Sequence, residues 1–82
     1  METKKQIYTY TVVFEPAEEG GYVAYVPALP GCHTQGETFE ETRAMIQDAI
    51  IGHLAVLTKD GEAVPEEAPD RIEAKITIPV TA

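Results

Sequence analysis

Tyr8, Tyr10, Val12 and Phe14 share one parity, and Thr9, Thr11 and Glu15 share the other. This alternation predicts a strand over residues 6–15 with one face on a core. Pro16 to Gly21 interrupts it. The Glu18-Glu19-Gly20-Gly21 run is turn chemistry, because two glycines permit positive φ. Tyr22 to Val26, rich in aromatic and β-branched residues, predicts a second strand joined to the first by a hairpin. Pro27, Ala28, Leu29, Pro30 and Gly31 must leave regular pairing, since proline offers no N–H to a ladder. Cys32 to Gln35 predicts a third, short strand, and Gly36 lets the chain turn.

Thr38 starts a helix. Thr38 and Glu41 have capping-box spacing, and Glu37, Glu40 and Glu41 suit the positive end of the helix dipole. Phe39, Ile46, Ile50, His53, Leu54 and Leu57 fall on one face, flanked by Met45, Ala49 and Val56, with Glu40, Glu41 and Asp48 opposite. Lys59-Asp60-Gly61 reads as the stop. Glu62 to Asp70 is a loop carrying Pro65 and Pro69. Over residues 71–80, Ile72, Ala74, Ile76, Ile78 and Val80 alternate with Arg71, Glu73, Lys75 and Thr77, which predicts a last, half-buried strand. The expected fold class is α+β, in two layers and in the order β-β-β-α-β: a short antiparallel sheet packed by one main helix. Residues 1–82 read as one domain.

Charge and size narrow the function. The chain has 82 residues and a formal charge of −8. Residues 15–70 hold 12 acids and 2 bases, or −10, between ends that sum to +2. Such a balance disfavours direct nucleic-acid binding and fits a basic partner. A domain of this size buries only about 60–65% of its unfolded surface, so self-association would help it. The single cysteine, Cys32, excludes an intrachain disulfide. The Met1 to Lys5 run leads into a polar stretch with no signal-peptide h-region, and no segment approaches the ~20 apolar residues of a membrane span. A cytoplasmic location is expected.

Catalytic chemistry finds little support. Cys32 and His33 are adjacent and point to opposite faces of a strand, and His53 stands on the apolar side of the helix. No CxxC, HxxxH or HExxH occurs, so no metal or other cofactor is expected. Cys32 reads as a packed small residue rather than a nucleophile. The strand interiors are nearly free of acids, against a two-metal nuclease. Tyr8, Tyr10, Tyr22 and Tyr25 lack the cationic groove of a base-stacking platform.

The ordered string Glu18-Glu19-Gly20-Gly21-Tyr22-Val23, Val26-Pro27-Ala28-Leu29-Pro30-Gly31-Cys32, and Thr34-Gln35-Gly36-Glu37-Thr38-Phe39-Glu40-Glu41 resembles the HicB-like antitoxin family. The likeness covers residues 8–65 and more loosely the last strand. It implies a truncated ribonuclease-H-like fold without catalytic carboxylates. It also implies a non-enzymatic role: family members neutralise HicA, a small basic RNA-cleaving toxin, by covering its active surface. Many relatives carry a C-terminal DNA-binding module. This chain ends at Ala82, so operator binding is not expected of it.

The expectation is an antitoxin domain that binds a HicA-type toxin and forms a dimer or tetramer. The candidate partner surface is Glu15, Glu18 and Glu19 of the hairpin with Glu62, Glu66 and Glu67 of the loop. Gly20, Gly21, Tyr22, Pro27, Leu29, Pro30, Gly31, Cys32, Gly36, Thr38, Glu41 and His53 read as structural. Ile51, off the main apolar face, is a candidate subunit contact. Two other classes stay open: a solitary oligomeric module that regulates or binds a ligand, and a residual ribonuclease-H-type nuclease.

Overall fold

A computed structural model of the chain describes residues 7–81; the Met1 to Lys5 run, Gln6 at the start of the expected first strand, and Ala82 lie outside them. The elements are β1 (Val13–Pro16), β2 (Tyr22–Tyr25), β3 (His33–Gly36) and α1 (Phe39–Lys59). The sheet runs β1-β2-β3 and is antiparallel throughout, with Val13 opposite Tyr25 and Ala24 opposite both Phe14 and Thr34. The β-β-β-α arrangement is therefore α+β, as the pattern predicts.

The first strand is shorter than its alternation suggests, and Pro27 explains why. The β1–β2 register, continued two residues beyond Val13, sets Thr11 opposite Pro27. Proline cannot donate there, so β2 turns away and the ladder ends at Val13. The Glu18–Gly21 turn forms as expected. Ala17 N–H donates to Gly21 C=O at 2.9 Å and Gly20 N–H to Ala17 C=O at 3.0 Å. Gly21, at φ 77°, is required twice over: its backbone is left-handed, and a Cβ would run into Gly36 C=O.

The Pro27–Gly31 segment is a plug. Leu29 N–H donates to Val26 C=O at 3.0 Å, Cys32 N–H to Leu29 C=O at 3.0 Å, and Val26 N–H to Cys32 C=O at 3.1 Å. These closures satisfy the backbone polar groups and let Leu29 reach complete burial. Leu29 joins Ala24, Val26, Cys32 and Ile46 in the core.

The helix begins at the Thr38 cap, where Oγ1 accepts from Glu41 N–H at 3.1 Å. The Glu41 carboxylate reaches back to Glu37 N–H at 3.3 Å, one residue before the usual capping-box donor. The helix ends in a Schellman arrangement: Gly61, at φ 71°, donates to Thr58 C=O, and Glu62 donates to Leu57 C=O. Between these ends α1 lies over β3 and β2. It comes close to the sheet at Gly36, where a Cβ would stand 2.5 Å from Thr42 Oγ1 and 3.0 Å from Thr42 N. Thr42 is fully buried, and its hydroxyl donates to Thr38 C=O at 2.7 Å.

The expected fourth strand is not part of the sheet. Residues 71–81 form no strand or helix, and every one is exposed. Ile72, Ile76, Ile78 and Val80 are 87%, 79%, 68% and 86% exposed. The alternation specifies an apolar face on residues 71–80, but no element among the described residues covers it.

Candidate functional site

Two acidic surfaces form, at different places on the fold. The first lies where the hairpin tip, the end of β3 and the start of α1 meet. Glu19, Gly20, Gly21, Gln35, Glu37 and Glu41 line an open cavity of about 510 Å³ there. Glu15, Glu18, Glu19, Glu37, Glu40 and Glu41 are all exposed, and among the described residues no ion pair neutralises any of them. The fold forces this crowding. Gly36 brings the helix start down on β3, and Gly21 packs against Gly36 from the hairpin. Of the expected residues, Glu19 thus gains Glu37 and Glu41 as neighbouring acids, whereas Glu15 stands on the sheet face away from α1, where its carboxylate accepts from the Tyr25 hydroxyl at 3.3 Å. In sequence Glu37 and Glu41 read as helix-capping residues, and only the close packing at Gly36 brings them beside the hairpin.

The second surface is the corner formed by residues 62–71. Glu62 and Glu66 are exposed. Glu67 is not available in the same way, because its side chain is only 8% exposed. Its carboxylate accepts from Thr11 N–H at 3.0 Å and from the Thr11 hydroxyl at 2.6 Å. Those bonds, the hydroxyl's first, hold the Glu67 carboxyl below the usual range, with Arg71 at 3.6 Å adding to the effect. Tyr10 completes the corner by donating its hydroxyl to Pro65 C=O at 2.5 Å. Burial, then Tyr8, Glu66 and Glu67, push that hydroxyl's pKa up. Because β2 has turned away by Pro27, the Thr11 N–H has no β2 acceptor, and an acid 56 residues away takes it.

The cysteine and histidines also find places. Cys32 and His53 line a shallow, mostly apolar depression of about 310 Å³ with His33, Ala49, Val56 and Leu57. Burial pushes the Cys32 thiol up, so it stays protonated and weakly nucleophilic near neutral pH. Among the described residues no three of His, Cys, Asp and Glu converge as metal ligands would. His53 is half-buried on α1.

The residues expected to be structural divide by depth. Leu29 and Cys32 are core, Gly20, Gly21 and Gly31 have positive φ, and Gly36 and Thr38 set the helix start. Pro27 and Pro30 are exposed at the rim of the plug. Tyr22 is half-buried and meets Phe39 edge-on at 6.1 Å between ring centroids, and Phe39 also packs on Phe14 at 4.7 Å. Ile51 is 60% exposed. No helix among the described residues is long and apolar enough to cross a membrane.

Comparison with known proteins gives a consistent result. Residues 10–80 match the family model described as HicB-like antitoxin of bacterial toxin-antitoxin system. A UPF0150 protein of Synechocystis is 48% identical over 65 residues, covering 79% of this chain and 82% of the relative. A UPF0150 protein of Thermoplasma acidophilum is 43% identical over 63 residues, covering 77% and 91%. Antitoxin HicB 1 of Photorhabdus laumondii is 42% identical over 60 residues, which is 73% of this chain but 39% of that antitoxin.

Proposed function

The chain belongs to the HicB-like antitoxin family, and from that premise we propose that it is a non-enzymatic, homo-oligomeric cytoplasmic antitoxin that binds and covers a small basic RNA-cleaving toxin of the HicA type. The observation that carries the reading is the uncompensated acidic end formed by Glu19, Glu37 and Glu41, with Glu18 next to Glu19 in the hairpin turn. A toxin surface built to hold RNA phosphates is cationic. Carboxylates gathered on one rigid end can steer toward such a surface and occupy it. Glu62 and Glu66 extend the acidic field at the Tyr10–Pro65 corner, while Glu67 serves the fold.

The test is co-expression with a short basic chain encoded beside this one. The expected outcome is co-purification, loss of the toxin's RNA cleavage, and weaker binding when Glu18 and Glu19 are both changed to Lys. The association rate should fall about tenfold or more as salt rises from low to several times physiological strength. An association rate indifferent to salt and to E18K/E19K would remove the acidic end from the interface.

A further inference from the structure

A long groove runs between the strand side and the helix side of the fold. Its two parts, of about 360 and 350 Å³, are walled by Tyr8, Tyr10 and Phe14 on one side and by Ile46, Ile50 and Leu54 on the other. It exists because α1 packs over β3 and β2, leaving the flank of β1 without a covering element among the described residues. The groove lies beside a sheet edge left unpaired among the described residues, since β1 is an end strand of the sheet. The Ala17–Gly21 bond sets the phase of the hairpin, so Val13 and Glu15 bond to β2 while the N–H and C=O of Phe14 face outward.

The same chain carries a segment shaped for that seat. Ile72, Ala74, Ile76, Ile78 and Val80 lie on one parity and are exposed. A strand laid antiparallel beside β1 would turn that parity into the groove and offer the in-plane groups of the even-numbered residues to the open edge. Pro79 falls among the odd-numbered residues, whose groups would then face outward. That is the side on which a missing N–H is tolerated. The arm does not fill its own groove. Its base is fixed by Tyr10–Pro65, Thr11–Glu67 and the Arg71 ion pairs to Glu67 and Glu73, and beyond them it leaves the body. The radius of gyration is 16.1 Å and the long axis 65 Å, whereas a compact chain of this length has a radius of about 12 Å. Charge agrees as well: Arg71 and Lys75 against Glu73 give the arm +1, and the segment of residues 15–70 carries −10.

We infer that residues 71–80 are an exchanged strand: in a homodimer, the arm of each copy pairs with the open edge of β1 in the other and lays Ile72, Ile76, Ile78 and Val80 into the groove between β1 and α1. The exchange rests on the homo-oligomer reading and is independent of the toxin. It is isologous, so both edges and both grooves close together. It also removes the largest run of exposed apolar side chains and one unpaired sheet edge from each copy.

Sedimentation of the full chain tests it, alongside the double variant Ile76→Glu, Ile78→Glu. Both side chains are exposed in the single chain, so the variant keeps its fold, which an unchanged circular dichroism spectrum verifies. The wild type is expected at twice the 9.0 kDa chain mass. The variant is expected as a monomer, its dissociation constant raised by about 100-fold or more. A mixed dimer with only one copy isotope-labelled should show contacts from the Ile76 and Ile78 methyls of one copy to Val12 and Ile50 of the other. A wild-type monomer, including one whose arm is covered only when a toxin is added, overturns both the exchange and the oligomer reading. A dimer indifferent to the double variant overturns the exchange alone and moves the interface elsewhere, with Ile51 the next candidate. Contacts confined within one copy show the strand closing on its own chain and overturn the exchange.

Discussion

Tyr8–Phe14 and Ile72–Val80 carry the same alternation of apolar and polar residues, yet they meet different fates. Tyr10, Val12 and Phe14 are half-buried and pack against the core cluster. Ile72, Ile76, Ile78 and Val80 stay bare. Both segments satisfy the condition for a half-buried strand. The difference is what stands opposite. The first segment has β2 alongside it through a short turn, at little loop-closure cost. The second follows a 21-residue helix and a loop with two prolines, and its base is tied into a corner that directs it outward. A period of two specifies a face; whether that face is covered within one chain depends on connections that the period does not contain.

The largest effect that sharpens this contrast comes from truncating one apolar side chain in each region. Leu29→Ala removes a side chain with no exposure, inside a hydrogen-bonded plug that cannot collapse onto the void. It should cost about 2–5 kcal/mol in denaturant unfolding. Ile76→Ala, measured at a dilution where the chain is monomeric, should change stability by no more than about 0.5 kcal/mol. At concentrations where chains associate, Ile76→Ala should lower the melting temperature in a concentration-dependent way. A large loss for Ile76→Ala in the dilute chain would show that the two regions are alike after all, with the arm packed on its own body.

Gly36→Ala tests how the packed half is closed. The new methyl meets the Thr42 hydroxyl and the Thr42 main chain, and the main chain cannot move without shifting the helix start. Overpacking of this kind should cost about 1–3 kcal/mol. It should also loosen the acidic end, because Gly21 packs against Gly36 from the other side. The loss of stability and any loss of partner binding should therefore appear together in this variant. Separate responses would mean that Glu37 and Glu41 act independently of the hairpin.

Much of the packed half is legible in the sequence for identifiable reasons. Thr38 with Glu41, the Gly20-Gly21 turn and the Lys59-Asp60-Gly61 stop are local signals, and each is realised within a few residues of itself. Leu29 reads as structural because it is apolar, and it is fully buried. What the sequence conceals is non-local. Thr42 reads as an ordinary polar helix residue and is buried because Gly36 admits it. Glu67 reads as surface charge and is drawn in because β2 turns away from Thr11 and leaves its N–H to another acceptor. Glu37 and Glu41 join the hairpin acids only through the packing of one glycine on another. The uncovered arm follows the same rule, since its pattern says strand and its neighbours decide the rest.

The smallest effect concerns the joint between the two halves. Thr11's hydroxyl and N–H stabilise the charged form of Glu67, with Arg71 assisting, and so hold its folded pKa below the value of about 4.3 expected for an unfolded glutamate. The folded state therefore binds that proton less readily than the unfolded chain. The tie contributes fully above the unfolded pKa and is lost as pH falls through the lower, folded one. At neutral pH, Glu67→Gln keeps an acceptor for Thr11 and should lower the melting temperature only slightly. In acid the wild type should lose stability over a range where the variant stays flat. The Thr11 amide resonance should shift with the same depressed midpoint, because its donor faces the titrating carboxylate. If that resonance instead follows an unperturbed glutamate, the corner is open in solution, and the base of the arm belongs with the bare region rather than with the packed one.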